Sequence, residues 1–261
     1  MDTKNVVCIK WGSPNYYSAK YVNNLYRAVI KNTKYKIDFY CFTDNSDNFD
    51  PDIIVKPLPT LKNLDKVGCE IYQKEAGLCD NNLGGLKGQR VLYFDLDTII
   101  VGNLDSFFEL PKGNEFCIIK DWSHRDGSVG QASCYSWTVG TLGYIKNYFE
   151  AHYDDVYKKF TTASQEYLSS KIIEKCGKLN FWPESWCRSF KLHCLPTPLI
   201  PFLRKFKVAT IPEDAKILCF HGRPKIEDAL TGLWPERSWY KRFFYKHLKP
   251  VKWLERYWGR E

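Results

Sequence analysis

Apolar runs separated by short polar clusters recur through the first part of the chain. The segment VVCIKW at residues 6–11 predicts a strand that ends at the turn residues following it. A helix is predicted next, because five apolar residues recur at intervals of three and four: Val22, Leu25, Tyr26, Val29 and Ile30. KIDFYCFTD at residues 36–44 and DIIVKPLP at residues 52–59 predict a second and a third strand.

The same alternation continues to the most apolar segment of the chain. Residues 70–79 predict a helix, and RVLYFDLDTII at residues 90–100 predicts the strongest strand. Alternating helices and apolar strands favour an α/β fold with a mostly parallel sheet that is covered on both faces. Ligands bind beyond the carboxyl ends of the strands in such sheets. Functional residues are therefore expected just after strands, at residues 10–12, 43–44 and 95–97, Asp121 and His221.

Length and composition favour one globular domain with a C-terminal appendage. Of the 261 residues, 44% are hydrophobic and 16% are aromatic, as is typical of a folded protein. No repeat or linker divides the sequence, so we expect a domain at residues 1–233 and an appended segment at residues 234–261. No run reaches the roughly 18 apolar residues of a membrane-spanning helix. The N-terminus predicts a strand and not a secretory signal.

Ten cysteines could form disulfides or a zinc site, but their positions favour neither. Four lie inside apolar, strand-like runs, where cysteine acts as a small hydrophobic residue: Cys8, Cys41, Cys117 and Cys219. The sequence contains no CxxC pair, so a structural zinc site has no support. We therefore expect reduced thiols in a cytoplasmic protein.

Asp95 and Asp97 stand one residue apart at the end of the strongest predicted strand. If the chain stays extended there, both carboxylates point to the same face of the sheet. Like charges that close repel each other, and a Mg²⁺ or Mn²⁺ ion shared with substrate phosphates would relieve the repulsion. A solvated strand end is the alternative, because this spacing is common by chance. The surrounding apolar residues favour a buried, functional pair.

A second motif, ILCFHGRPK, lies near the other end of the chain. An apolar run leads into His221, and Gly222 and Lys225 follow. A neutral imidazole can complete a metal site, an ammonium can bind diphosphate oxygens, and a glycine lets the backbone approach them. The alternative is an ordinary histidine at the end of a strand.

Together, the two motifs resemble those of a known enzyme family. YFDLDTIIVGNLD and FHGRPK are similar to the DxD and HGxxKP motifs of the glycogenin-like retaining glycosyltransferases, and weaker similarity extends over most of the chain. The resemblance implies a single Rossmann-like α/β domain of the GT-A type. It also implies a metal site, for Mn²⁺ or Mg²⁺, formed by Asp95, Asp97 and His221.

The resemblance assigns further residues to a nucleotide-sugar donor. The KWG segment stands where the family binds the base and ribose of the donor, and comprises Lys10, Trp11 and Gly12. Lys225, with Gly222 beside it, would hold the diphosphate. Lys74, in the segment QKEAGLC, stands where the family often has a basic residue facing the donor, and Asp95 belongs to the donor set as well as to the metal set.

The chain departs from the family pattern at three places. Ile226 replaces the proline that usually follows the lysine, the segment CYSWTVG lacks the usual Asn-Ser pair, and Ser164-Gln165-Glu166 replaces an Asp-Gln pair. Gln165 is the candidate to stabilise the oxocarbenium-like centre, although an exposed helical glutamine is the alternative. Asp121 is the candidate to hold the hydroxyl groups of the donor sugar.

The sequence therefore predicts a metal-dependent hexosyltransferase. It would transfer a hexose, with retention, from a UDP-sugar to a glycan or lipid-linked acceptor in the synthesis of envelope polysaccharide or lipooligosaccharide. One alternative is a haloacid-dehalogenase-like phosphatase, with Asp95 as the nucleophile and Asp97 as the acid/base. That motif usually opens its domain, whereas three apolar strands precede it here. Another alternative is a binding module that recognises nucleotide sugars without turnover.

The C-terminal segment at residues 234–261 interleaves aromatic and basic residues. It contains nine aromatic residues, and eight Lys and Arg against three Glu give it a net charge of +5 out of +8 for the whole chain. This composition predicts peripheral contact with an anionic membrane surface, on its cytoplasmic face. The alternative is that Trp239, Phe243 and Phe244 pack against the domain. Nothing else in the sequence supports binding of nucleic acid.

Overall fold

The computed structural model describes residues 3–12, 17–66, 68–124, 126–196, 206–244 and 246–259. The chain forms two compact units. The first comprises Met1–Asn23, Lys34–Leu96 and Asp105–Trp182, and the second comprises Asn24–Thr33, Asp97–Leu104 and Pro183–Glu261. The expected boundary between residues 233 and 234 stays a prediction.

The strands are short and apolar. In chain order they are β1 Thr3–Lys10, β2 Lys36–Thr43, β3 Ile54–Lys56, β4 Arg90–Phe94, β5 Thr98–Ile100, β6 Cys117–Lys120, β7 Gly130–Thr138, β8 Asn180–Phe181, β9 Cys187–Ser189 and β10 Ile217–Cys219. The α-helices are α1 Ala19–Lys31, α2 Asp105–Glu109, α3 Gly143–Ala151, α4 Tyr153–Phe160, α5 Ser164–Cys176, α6 Ile226–Thr231, α7 Trp239–Phe244 and α8 Glu255–Trp258.

The first unit contains a seven-stranded sheet in the order β3-β2-β1-β4-β7-β6-β8. All neighbouring strands are parallel except β7, which runs antiparallel to both β4 and β6. The predicted α/β class with a mostly parallel central sheet is therefore confirmed. β3 has only three residues, because Pro57 and Pro59 follow it and proline has no N–H to donate to a strand neighbour.

Helix α1 begins and ends close to its predicted positions. Its apolar stripe is buried at Val22, Leu25 and Val29, whereas Ile30 is 41% exposed. Helices α3, α4 and α5 contribute apolar side chains to one core that also includes residues of β1, β4 and β7. The core is strongly aromatic, because Tyr72, Phe149 and Tyr167 pack ring against ring inside it.

Two predicted elements differ in the structure. Residues 70–79 do not form one helix, but two 3₁₀ turns at Cys69–Gln73 and Gly77–Cys79. Gly77 falls where a continuous helix would have its interior, and glycine disfavours helix there. The strand predicted at residues 90–100 also breaks, because β4 ends at Phe94 and β5 begins at Thr98 in a different sheet. The expectation that Asp95 and Asp97 continue one extended strand is therefore wrong.

The second unit contains a three-stranded sheet in the order β5-β10-β9. β10 is antiparallel to β5 and parallel to β9. The C-terminal segment completes the core of this unit, since Val251, Leu254 and Trp258 are almost fully buried. Trp239 is mostly exposed to solvent, at 77%, and its ring lies edge to face with the Tyr240 ring. The side chains of Phe243 and Phe244 lie outside the described part of the structure.

The cysteines behave as small apolar residues. None of the ten, all of which lie in the described ranges, forms a disulfide, and only Cys176 is exposed. Burial raises the pKa of the Cys69 thiol to about 11 and that of Cys194 to about 12, so neither carries a reactive thiolate near neutral pH. None of the helices in the described ranges is both long and apolar enough to cross a membrane.

Candidate active site

The strand order of the first unit places a crevice beside the ends of β1 and β4. Moving from β1 to β2 and β3 crosses the sheet in one direction, whereas β4 lies on the opposite side of β1. Such a reversal between parallel neighbours is where α/β sheets bind ligands, beyond the carboxyl ends of the strands. A cavity of about 620 Å³ opens at this place. Its walls are Ile9, Trp11, Gly12, Tyr17, Glu70, Ile71, Lys74, Glu75, Tyr93, Asp95, Leu96 and Ser164.

Asp95 follows β4 directly and faces this cavity. Its Oδ1 accepts a hydrogen bond of 2.6 Å from the hydroxyl of Tyr93, two residues earlier on the strand. The ammonium of Lys74 lies 3.1 Å from both carboxylate oxygens. Burial, followed by the Asp95 charge, raises the pKa of Tyr93 well above its usual value, so the hydroxyl remains a donor. The carboxylate is thus oriented by two partners while its side chain keeps 20% exposure.

Glu75 is a second carboxylate in the cavity wall, and the sequence did not single it out. Its Oε1 lies 3.3 Å from the Lys74 ammonium, and its side chain is only 3% exposed. Burial raises the pKa of Glu75, while the Lys74 charge and a hydrogen bond from Ser164 oppose that rise. Its other oxygen, Oε2, is buried with no hydrogen-bond partner among the described residues. The cavity therefore holds one ammonium between two carboxylates.

The three residues of the KWG segment do not all face the cavity. Trp11 and Gly12 line the cavity, and Gly12 adopts a left-handed φ of 82° while its N–H donates to Asp44 at 3.2 Å. Lys10 is buried, and its ammonium donates to the carbonyl of Asn45 at 3.2 Å. Of the three predicted donor residues in this segment, two therefore reach the cavity and Lys10 supports the loop after β2.

The two predicted sugar-facing residues lie together. The Gln165 amide donates to Asp121 Oδ2 at 3.3 Å, and its oxygen accepts the N–H of Ala132 at 3.4 Å. The other oxygen of Asp121 accepts the backbone N–H groups of Ser123 and His124 at 2.7 and 2.9 Å. Gln165 is therefore not a freely exposed helical residue, since it joins α5 to the loop after β6 and to β7.

The remaining predicted residues lie in the second unit. The Lys225 ammonium donates to Asp97 Oδ2 at 3.2 Å, and the Asp97 carbonyl accepts the N–H of Phe220 at 3.1 Å. His221 follows β10, and its Nε2 lies 2.8 Å from the hydroxyl of Ser189. Gly222 has a left-handed φ of 72°, which favours glycine. The second unit therefore brings the Asp97 carboxylate together with the Lys225 ammonium.

The acidic residues suit a hard divalent cation in their chemistry. Both aspartates offer carboxylate oxygens at strand ends, and each is held by a lysine whose charge a cation would replace. Within the described ranges, no group of three or more His, Cys, Asp or Glu side chains is close enough to hold a metal ion. Mg²⁺ and Mn²⁺ commonly need only one or two carboxylates when phosphate oxygens and water complete the shell. The residues therefore fit a cation shared with a phosphate ligand better than a closed protein cage.

Some of the cavity residues could have been found from the sequence. Tyr93 lies on β4 and Asp95 follows that strand directly, and a spacing of two places both side chains on the same face where the chain stays extended. Glu75 adjoins Lys74, but nothing in the sequence distinguishes a buried glutamate from a solvated one. Tyr17 and Ser164 come from segments that only the folded chain brings to the cavity.

Three solved glycosyltransferase structures are similar to this chain. The galactosyltransferase LgtC, in complex with donor and acceptor sugar analogs, has a TM-score of 0.55 and 12% identity, covering 85% of this chain and 88% of its own. GlyE of Streptococcus pneumoniae TIGR4 has a TM-score of 0.52 and 12% identity, covering 86% of this chain and 56% of its own. The bifunctional glycosyltransferase WbbM also has a TM-score of 0.52 and 12% identity, and the match covers 86% of this chain and 46% of the WbbM chain.

The similarity is one of structure. No family model matches the chain, and no curated protein matches its sequence. The narrower resemblance to the glycogenin-like family stays a prediction from the two motifs. The chain shares the fold of these three glycosyltransferase structures.

Proposed function

We propose that this protein is a glycosyltransferase that uses a nucleotide-sugar donor. One observation carries the proposal: the cavity at the ends of β1 and β4 combines an aromatic ring, Trp11, with the oriented carboxylate of Asp95 and the ammonium of Lys74. A flat base can stack on the ring, and the charged groups suit a diphosphate with its cation. The glycosyltransferase fold supports the same assignment.

The donor would be a UDP-sugar, with its parts distributed along the chain. Trp11 and Gly12 would bind the base and ribose, and Lys74 would face the phosphates. Lys225, with Gly222 beside it, would pair with the diphosphate, which an ammonium recognises as a point charge. Asp95, Asp97 and His221 would hold Mn²⁺ or Mg²⁺, as the resemblance to the glycogenin-like family implies.

The chemistry would be transfer of a hexose with retention. A bound divalent cation would neutralise the negative charge that builds on the leaving diphosphate. The contact between Gln165 and Asp121 fixes an amide and a carboxylate side by side. We propose that Asp121 holds hydroxyls of the donor sugar and that Gln165 stabilises positive charge at the anomeric carbon, because their dipole and charge are already oriented.

The acceptor would be a glycan or a lipid-linked sugar, in envelope polysaccharide or lipooligosaccharide synthesis. Three exposed apolar residues, two of them aromatic, lie in and beside the basic C-terminal segment and support contact with an anionic membrane, on which such an acceptor would lie. They are Leu233, Trp239 and Tyr240, with 63%, 77% and 47% exposure; the first of them is aliphatic.

Titration calorimetry of UDP with Mn²⁺ present tests the donor site. Trp11→Ala should weaken UDP binding by about tenfold, the usual loss for one stacked base. Trp239→Ala is the matched control, because it removes an exposed tryptophan outside the cavity, and it should leave the affinity unchanged. Equal affinities for the two variants, or no UDP binding by the unaltered protein, would contradict the proposal.

The phosphatase alternative has less support. It needs Asp95 as a nucleophile, but both of its oxygens face the Lys74 ammonium and one also accepts from Tyr93. It would also release inorganic phosphate, whereas a glycosyltransferase releases the nucleoside diphosphate. The two products distinguish these functions directly.

A further inference from the structure

The Lys74 ammonium in the cavity of the first unit faces two carboxylates of unequal exposure. It lies 3.1 Å from each oxygen of Asp95 and 3.3 Å from Oε1 of Glu75. Asp95 and Lys74 keep about one fifth of their side-chain surface open, whereas Glu75 is 3% exposed. A soluble cation can therefore reach Asp95, while Glu75 is closed off behind the lysine.

Glu75 is costly to bury, which suggests that it does more than fill space. Its Oε2 atom is buried and has no hydrogen-bond partner in the described part of the chain. A buried polar atom that lacks a partner destabilises the folded chain, and it does so more when the group is charged. An apolar residue at this position would avoid the cost, so the carboxylate has a use that apolar packing cannot supply.

Lys74 and a divalent cation would compete for the same Asp95 oxygens. When a cation binds Asp95, the lysine loses its contact with both oxygens and needs another anion nearby. Glu75 offers one already in contact, with a second oxygen that accepts no other hydrogen bond. The ammonium can thus leave Asp95 and remain in the cavity, where the phosphates of a donor would lie.

We propose that Glu75 is a positioning residue that retains Lys74 in the cavity when Asp95 binds a divalent cation. The inference rests on the proposed function, since it takes Asp95 as a cation ligand. Without the Glu75 charge, Lys74 loses the carboxylate at 3.3 Å, stays with Asp95 at 3.1 Å and opposes the cation there more strongly. Without Lys74, Glu75 has no ammonium to retain, so its charge should have little effect on cation binding at Asp95.

The test is Mn²⁺ affinity, measured on the full chain without nucleotide by the electron paramagnetic resonance signal of free Mn²⁺. E75Q should weaken Mn²⁺ binding by about threefold to tenfold, K74M should strengthen it, and K74M/E75Q should bind like K74M. E70Q is the matched control, because Glu70 lines the same cavity but is exposed and has no ion pair recorded with Lys74 within the described ranges. It should change the affinity less than E75Q does.

Three results would overturn the inference. E75Q could leave the affinity unchanged, E70Q could match it, or the loss caused by E75Q could persist in full when Lys74 is already methionine. The last two would mean that Glu75 acts through bulk charge and not through the lysine. Failure of the proposed function looks different, because D95N would then leave Mn²⁺ binding as it is in the unaltered protein.

Discussion

His193 shows how a single buried side chain makes stability depend on pH. Its Nδ1 accepts the backbone N–H of Ser189 at 2.9 Å, an arrangement that requires a neutral ring at that nitrogen. Burial, followed by the Arg188 charge, lowers the pKa of His193 from its usual value of 6.5. The folded chain therefore binds fewer protons than the unfolded chain between the lowered pKa and 6.5.

The free energy of unfolding should consequently fall with acidity. The stabilisation is complete above about pH 6.5 and is lost as the pH falls toward the lowered pKa of the folded state. His193→Asn should flatten this slope, because asparagine can accept the same N–H and does not titrate. Urea denaturation between pH 7.5 and about 5 measures the slope. His152→Asn, at an exposed position, should leave it unchanged, and equal slopes in both variants would contradict the argument.

Residue by residue, the chemistry of the cavity could be predicted only in part. Asp95 and Lys74 were identifiable from motifs, and both line the cavity. Lys10 was assigned to the donor with its neighbours, but its ammonium is used by the Asn45 carbonyl. The sequence shows which residues follow a strand, but a side chain's direction depends on the turn that comes next. Glu75 could not be predicted, because its burial depends on packing of distant segments.

Strand β7 begins at Gly130, where close packing leaves no room for a side chain. A Cβ atom at Gly130 would come within 2.7 Å of the Ile118 side chain, where β6 and β7 shift register. The Gly130 N–H also donates to the Ser169 hydroxyl on α5 at 2.9 Å. Close packing of β6, β7 and α5 therefore holds the region in which Asp121 and Gln165 meet.

Gly130→Ala should lower the free energy of unfolding by about 1–3 kcal/mol, the usual cost of overpacking a core. Thermal unfolding followed by circular dichroism measures the change. Thr138→Ser at the other end of β7, a half-buried position, is the control and should cost much less. A Gly130→Ala variant as stable as the control would contradict the prediction, because the Ile118 side chain on β6 would then be able to move aside without cost.

The periodicity of apolar residues predicts most of the helices and strands, but it does not show where a turn interrupts an apolar run. β1, β2 and α1 lie where their patterns place them, because each buries one clear set of apolar residues. The strand expected through Asp97 stops at Phe94, since the apolar run continues while its pairing partner changes from β1 to β10. Hydrophobicity records burial but not the sheet in which a residue is buried, so this break could not be predicted.

At the scale of the whole molecule, the C-terminal segment combines two roles. Val251, Leu254 and Trp258 are core residues of the second unit, so deleting residues 238–261 would remove part of that core. Trp239 and Tyr240 are instead exposed, with the basic residue Lys241 beside them. The membrane proposal is therefore best tested by point substitutions on the exposed residues.

Trp239→Ser with Tyr240→Ser should greatly reduce flotation of the protein with vesicles of phosphatidylglycerol and phosphatidylcholine. Aromatic side chains favour the membrane interface, and their loss leaves only the weaker attraction of the basic residues. Val55→Ser is the control, because Val55 is an exposed apolar residue of the first unit at 43% exposure. Flotation that is unchanged in the double variant, or absent in the unaltered protein, would contradict membrane contact.

The fold of the whole chain was accessible from sequence, but its chemistry was less so. Strand alternation and two motifs predicted a glycosyltransferase-like α/β fold, which structures of 12% identity share. Donor sugar and acceptor depend on the shape of the pocket, which a single sequence does not show. Short motifs identify phosphate and cation chemistry because few residue types perform it, whereas many combinations can shape a sugar pocket.

The most direct test of the central claim is release of nucleoside diphosphate from a panel of nucleotide sugars incubated with Mn²⁺. We expect release from at least one UDP-sugar by the unaltered protein and a loss of about a hundredfold or more in Asp97→Asn, because charge stabilisation of the leaving group is removed. Release of inorganic phosphate instead, no release from any sugar nucleotide, or full activity in Asp97→Asn would contradict it.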